Sequence, residues 1–381
     1  MRETDLKRIP ELDGLRGLAI LAVLLWHCVG GALDLEQDWA LWVLNSLNLA
    51  WTGVDLFFVL SGFLIGGIML DHCNSPNFFK VFYARRTLRI FPIYYVLVLV
   101  YVLALAGGLA RHCPAVQPML EPQAPLWSYF TFTQNFVFAH SGNGGAPWLQ
   151  VTWSLAVEEQ FYLCLPFVIF TVPRARLGQV LTGLIFAVPL LRFMLYDLPP
   201  RPGFAGYLLM PARADALLLG ALGAWLVRHE PTRRWLSAHV GLLYAALAVL
   251  FLGTAALHQL RIDYISLGML TWGYTWIALF YCCLMLVAIH EKRGLVTCVT
   301  RNGALRYLGR ISYGVYLLHQ VVHGLAHGLI LNQAPILRTW TDALVTVLAI
   351  VGTLALAALS WHRFEQPLVE LGHSLKYSPQ L

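Results

Sequence analysis

Ten apolar runs, each long enough to cross a lipid bilayer, occupy most of this 381-residue chain. They fall at about 15–33, 49–70, 90–109, 149–171, 177–196, 212–227, 240–257, 264–289, 311–331 and 341–361. A run of about 20 apolar residues crosses a hydrocarbon layer about 30 Å thick as an α-helix, because every backbone N–H and C=O must be satisfied within the segment. The pattern predicts an all-α, polytopic integral membrane protein of about ten transmembrane helices, with no room for a soluble domain. Composition agrees: 58% of residues are hydrophobic and 12% charged, against about 25% charged in soluble domains.

Basic residues orient the runs, because cytoplasmic loops are enriched in Lys and Arg. With the N terminus inside, twenty of the 26 Lys and Arg residues fall on the cytoplasmic side. Only Arg111, Arg192, Arg201, Arg213, Arg261 and Arg338 remain at outer positions. Both termini are therefore expected in the cytoplasm, and the whole chain, 1–381, is read as one membrane-embedded domain. The net charge of +6 follows from this topology and from anionic lipid at the inner leaflet, so nucleic acid is not invoked. The first run also has traits of a cleaved signal peptide: Lys7 and Arg8 precede it, and Gly30, Gly31 and Ala32 close it. Trp26 and His27 interrupt that pattern, and cleavage would invert the charge count. The seven cysteines form no Cys-x-x-Cys pair and only Cys113 falls in an outer loop, so neither a disulfide framework nor a zinc site is expected.

The long extracytoplasmic loop expected at 110–147 holds Pro114, Pro118, Pro122 and Pro125 and then Trp127, Tyr129, Phe130, Phe132, Phe136 and Phe138. Such a segment suits the membrane interface. It also suits a lid or re-entrant hairpin over a site. The two readings are compatible.

Ionisable residues inside the runs carry the functional signal, since they are costly in lipid and usually face a partner or a cavity. Arg16 and His27 stand eleven positions apart in the first run. Eleven steps of about 100° return a helix to nearly the same azimuth, about 16 Å further along its axis. Arg16 then lies near one interface and His27 near mid-membrane. Arg85, Arg86 and Arg89 stand at the inner end of the third run, where Arg86 and Arg89 share a face and form a fork for phosphate oxygens. The positive-inside rule alone also supplies arginines there. Glu158 and Glu159, after Trp153, sit near mid-membrane about 100° apart, so one can face a cavity while the other pairs or caps. Asp55 lies near the outer end of the second run, with Ser61-Gly62 deeper; interface and close-packing roles explain these as readily as chemistry does. His319, His323 and His327 recur every fourth residue after Ser312-Tyr313-Gly314-Val315-Tyr316. A polar cavity face is expected there rather than a metal site, since no Cys or carboxylate accompanies them on that helix. Arg192, Arg213 and Asp215 add charge near the outer ends. Ordered by depth, these residues fit a proton relay, and equally an enzyme taking an anionic donor from the cytosol to an acceptor across the membrane.

The segments resemble the membrane acyltransferase-3 family, whose members modify bacterial surface glycans. The resemblance rests on Leu12-Asp13-Gly14-Leu15-Arg16-Gly17-Leu18-Ala19-Ile20 with His27, and on Gly53-Val54-Asp55-Leu56-Phe57-Phe58-Val59-Leu60-Ser61-Gly62-Phe63. It continues through Arg86-Thr87-Leu88-Arg89, Trp153-Ser154-Leu155-Ala156-Val157-Glu158-Glu159-Gln160-Phe161-Tyr162, Ser312 to His319, and Phe364-Glu365-Gln366-Pro367. Six motifs in order cover nearly the whole chain. The resemblance implies a multi-pass protein of the bacterial cytoplasmic (inner) membrane that moves an acyl group from cytosolic acyl-CoA, most often acetyl-CoA, to a carbohydrate hydroxyl. Arg16 and His27 match the family's Arg-x10-His motif, and Arg86 with Arg89 its Arg-x-x-Arg motif. Some members carry a fused SGNH-type esterase domain; with about twenty residues after the last run, this sequence is read as the membrane part alone.

Within that reading His27 is expected to act as general base or as acyl carrier, with a carboxylate, Glu159 by expectation, orienting its ring and Glu158 or Asp55 assisting. Arg85, Arg86 and Arg89 would hold the CoA phosphates, and Arg16 would contact the pantetheine arm or hold the entrance open. Ser61, Trp153, Arg192, Asp215, Tyr316 and His319 are candidates for the cavity or acceptor site, with no metal. Expected partners are acyl-CoA, a glycan or lipid-linked sugar, and membrane lipids; oligomeric state is not readable from apolar faces. The competing reading is a proton-coupled secondary transporter or lipid-linked substrate flippase, in which His27 and Glu159 relay protons; no internal repeat favours it. A third keeps the chemistry but acylates an antibiotic on the inner side.

Overall fold

A computed structural model of the chain describes residues 9–47, 49–259 and 263–378. Arg2, Lys7, Arg8 and Arg261, used above to orient the chain, lie outside these residues. The described residues hold ten helical segments long and apolar enough to cross a membrane, as the sequence predicts. Their cores are α1 (Pro10–Cys28), α2 (Gly53–His72), α3 (Phe78–Ala106), α4 (Thr152–Thr171), α5 (Arg174–Met194), α6 (Met210–Arg228), α7 (Val240–Gln259), α8 (Tyr274–His290), α9 (Gly303–Leu331) and α10 (Trp340–Ser360). A π-helical turn, Trp361–Glu365, leads α10 into α11 (Gln366–Ser374).

Several helices begin earlier than the apolar runs that announce them. α3 starts at Phe78 and α9 at Gly303, because their charged first turns remain helical. An apolar run stops at the first arginine, whereas the helix continues where that arginine projects into a polar cavity. Asn302 caps α9 by accepting from the backbone N–H groups of Ala304 (2.9 Å) and Leu305 (3.2 Å). Thr339 and Asp342 close a reciprocal capping box on α10.

Helices α1, α2, α6 and α9 form the middle of the bundle, with α1 against α9 and α2 against α6. Within the most apolar stretch of each segment, 72% of α6 is buried but only 11% of α7, which places α7 at the lipid-facing rim. Glycines permit the central approach. A Cβ on Gly62 would fall inside the Leu217 carbonyl oxygen, and one on Gly220 inside that of Val59. Gly220→Val is therefore expected to force α2 and α6 apart and to cost about 1–3 kcal/mol, typical of overpacking. Reduced accumulation and a lower melting temperature in detergent would register it; a wild-type melt would refute this packing.

Between Ala106 and Thr152 the chain folds into short helices rather than a free loop. Tyr129, Phe138 and Trp148 are buried there, while Trp127, Phe130 and Phe136 are exposed. The hydroxyls of Tyr94 and Tyr101 on α3 donate to the carbonyls of Tyr129 (2.8 Å) and Leu120 (2.9 Å). Gln134 donates to the Thr152 carbonyl (2.9 Å) and Gln160 to that of Phe132 (2.8 Å). At the same end, Leu33 and Leu337 form an isolated parallel bridge, and Arg338 pairs with Asp34 at 2.7 Å. That guanidinium holds the Asp34 carboxyl below its ordinary range.

Candidate functional site

A cavity of about 810 Å³ opens among α1, α2, α3, α4, α9 and α11. One end lies where α1, α3 and α9 begin and α2 and α6 end. There it is lined by Arg16, Arg86, Arg89, Arg228 and Arg310, together with Asp13, Asp71, Glu370 and His373. Deeper in, the walls turn apolar with Val54, Phe57, Phe58, Leu60 and Leu64, and the lining ends at Ser154 and Tyr316.

The arginines differ in how they are satisfied. Arg228 is neutralised by Asp71 through two bonds, at 2.7 and 2.6 Å. Arg16 donates to the Ser312 hydroxyl at 3.3 Å. Among the described residues, Arg86, Arg89 and Arg310 pair with no carboxylate, and Arg310 Nε is buried without a partner. The Arg86 guanidinium lies over the Tyr162 ring, 5.8 Å from its centre. With Arg16, whose partner is a neutral hydroxyl, four guanidinium groups without a paired carboxylate among the described residues line one cavity and make a site for an anion, most naturally a phosphate that can accept paired N–H bonds. Arg310 was visible in the sequence only as one more basic residue of an inner loop; its position two residues before Ser312-Tyr313 was the available signal. Arg85 points elsewhere. It donates to the Leu375 carbonyl and stacks on Tyr377, 4.8 Å from the ring centre, and it lines a smaller pocket together with Arg86 and Arg89, so the three expected arginines stay together and Arg310 joins Arg86 and Arg89 in the main cavity.

The two carboxylates of α4 separate, as their 100° offset requires. Glu158 lines the cavity and accepts from the Tyr162 hydroxyl at 3.1 Å, and that hydroxyl also bonds Ser61. Glu159 is absent from the lining, and its Oε1 is buried without a hydrogen-bond partner. The expectation that Glu159 orients His27 is corrected. The ring paired with His27 is His319, whose Nε2 stands 3.1 Å from His27 Nδ1, with the ring centres 5.0 Å apart. The α1 and α9 backbones approach closely enough for this because Gly309 packs on the Asp13 carbonyl. His27 and His319 are not in the cavity lining; Tyr316, which is, lies next to them, its ring centre 6.0 Å from that of His319. Tyr316 itself is fixed by bonds to Ser154 (2.6 Å) and to the Val151 carbonyl (2.9 Å). His323 and His327 converge on Thr346 at 3.2 and 2.9 Å, so the three histidines of α9 do not meet at one point.

Asp55, Arg192 and Asp215 also fall outside the cavity. Asp55 pairs with Arg213 at 2.5 Å and Arg192 with Asp215 at 2.9 Å, all nearly inaccessible to solvent. Phe58, Trp153, Tyr207 and Tyr274 surround Arg213, with Tyr274 nearest at 3.9 Å. Trp153 thus belongs to this aromatic cage. The structure places these four residues in or around a buried ionic network that ties α2, α5, α6 and α8 together, and not in the lining of the cavity.

Comparison with known protein families matches residues 9–362 to the acyltransferase 3 family, described as an acyltransferase domain. The chain belongs to this family. Among curated proteins, this acyltransferase-family chain is 29% identical over 377 residues to a Bacillus subtilis protein named "putative peptidoglycan O-acetyltransferase YrhL"; the match covers 94% of the chain and 55% of that protein. It is 28% identical over 382 residues to the peptidoglycan O-acetyltransferase OatA of Listeria monocytogenes, covering 96% of the chain and 56% of that protein. The chain therefore spans little more than half the length of the curated relatives it matches. No solved structure matches it. Family membership bears out the resemblance seen in the six motifs, and the ten helices bear out its multi-pass architecture.

Proposed function

We propose that this protein transfers an acyl group, acetyl in the simplest case, from an acyl-CoA to a hydroxyl of a cell-envelope glycan. The observation that carries the donor assignment is the cavity with Arg86, Arg89 and Arg310 paired to no carboxylate among the described residues at one end and apolar walls beyond. Phosphates suit the first part and a pantetheine arm the second. The basic-residue asymmetry supports a reading in which the arginine-lined end faces the cytosol, with both termini, and residues 110–147 lie on the far side of a bacterial cytoplasmic membrane. The names of the relatives support a glycan, free or lipid-linked, as acceptor.

In this reading the thioester reaches the inner end of the cavity near Ser154 and Tyr316, and His27 serves as general base from beyond it. His27 takes the proton of the attacking hydroxyl as the new C–O bond forms, the C–S bond breaks, and the leaving thiolate takes that proton. Arg16 holds the middle of the donor. Glu158, with Tyr162 and Ser61, supplies a polar wall along the donor path.

Membrane vesicles given labelled acetyl-CoA test the reading by release of free CoA and labelling of glycan; a transporter yields neither. Replacing Arg86 and Arg89 together by Gln is expected to raise the KM for acyl-CoA by about 100-fold or more, since each charge-assisted bond contributes about 1.5–3 kcal/mol. Arg310→Gln should act in the same direction. An unchanged KM in the double variant would leave these arginines as topological signals only.

A further inference from the structure

We propose that His319 is a positioning residue that holds His27 in the one tautomer able to act as a base toward substrate. The inference rests on the reading of His27 as the base. His319 Nδ1 lies 2.7 Å from the Tyr316 carbonyl and 3.2 Å from that of Val315. Carbonyl oxygens only accept, so His319 Nδ1 carries the proton. The ring is fully buried, and no carboxylate pairs with it among the described residues. Neutral imidazole has a single N–H, so His319 Nε2 is an acceptor. The 3.1 Å contact then requires His27 Nδ1 to donate. His27 consequently has its lone pair on Nε2, the nitrogen turned away from His319.

This is the service a carboxylate performs for the histidine of a serine-protease triad, where the wrong tautomer abolishes most of the rate. Here a neutral ring does it, which suits a site in lipid where a buried anion is costly. When His27 Nε2 takes the hydroxyl proton, its Nδ1–H still has an acceptor, so the imidazolium formed during transfer stays hydrogen-bonded. The bonds to Tyr316 and Val315 hold the ring of His319, while Tyr316 lines the donor cavity. One turn of α9 therefore links the base to the end of the donor path.

Two amide substitutions separate this role from packing. In H319Q the side-chain carbonyl reaches about the place of Nε2 and can accept from His27 Nδ1–H; in H319N the amide ends near the position of Nδ1 and cannot. With both proteins in membrane vesicles at matched levels, H319N is expected to lose kcat by about 100-fold or more. H319Q should retain it to within about tenfold, and KM for acetyl-CoA should stay within about twofold in both. Equal activity of H319N and H319Q, whether both high or both low, would overturn the proposal, as would a defect expressed mainly in KM. H27A, run alongside, distinguishes the two layers. If H27A retains the wild-type rate, the base assignment itself fails; if H27A is inactive while H319N is active, only the tautomer lock fails.

Discussion

His27→Ala is expected to reduce acyl transfer by about 10²–10⁴-fold, the usual contribution of a positioned general base, while the protein inserts and accumulates normally. His27 is only half-buried, at the end of α1, and among the described residues the one side chain it hydrogen-bonds is His319. Truncation therefore removes little packing. The loss should appear in kcat with KM for acetyl-CoA nearly unchanged, because the cavity that receives the donor ends at Ser154 and Tyr316, short of His27. Release of CoA from labelled acetyl-CoA, measured with and without an acceptor extract, checks both parts. A variant that transfers at the wild-type rate removes His27 from the chemistry; one that raises KM alone relocates it to donor binding.

The second large effect falls on stability. Asp55→Ala leaves Arg213 buried with no counter-charge, for which about 3–5 kcal/mol is the expected cost. The aromatic faces of Phe58, Trp153, Tyr207 and Tyr274 offset part of this, since cations are attracted to ring faces. The variant should accumulate poorly and melt well below the wild type in detergent. Replacing both partners, Asp55→Ala with Arg213→Met, should recover much of the loss, because no charge is then left uncompensated. If Asp55→Ala melts like the wild type and loses only activity, Asp55 belongs to the chemistry rather than to the network. The same logic applies with less force to Asp71→Ala, whose partner Arg228 is partly exposed and keeps access to water.

The sequence by itself determined the spanning helices, because a backbone in lipid has few ways to satisfy its polar groups and the apolar runs record the one chosen here. It also determined the family, through six ordered motifs, and the separation of Glu158 from Glu159, through the helical period. Helix starts escaped it at α3 and α9, where arginines that end an apolar run still point into a cavity. Only the tertiary structure decided which ionisable groups meet. Asp55 and Arg213 are 158 residues apart in the chain, and His27 and His319 are 292 apart; no local periodicity encodes such pairings. The physical reason is that a buried charge or imidazole takes its role from the partner that satisfies it. The packing of α1 on α9 and of α2 on α6 made His319, rather than a carboxylate, the partner of His27, and made Asp55 the partner of Arg213 rather than part of a cavity wall.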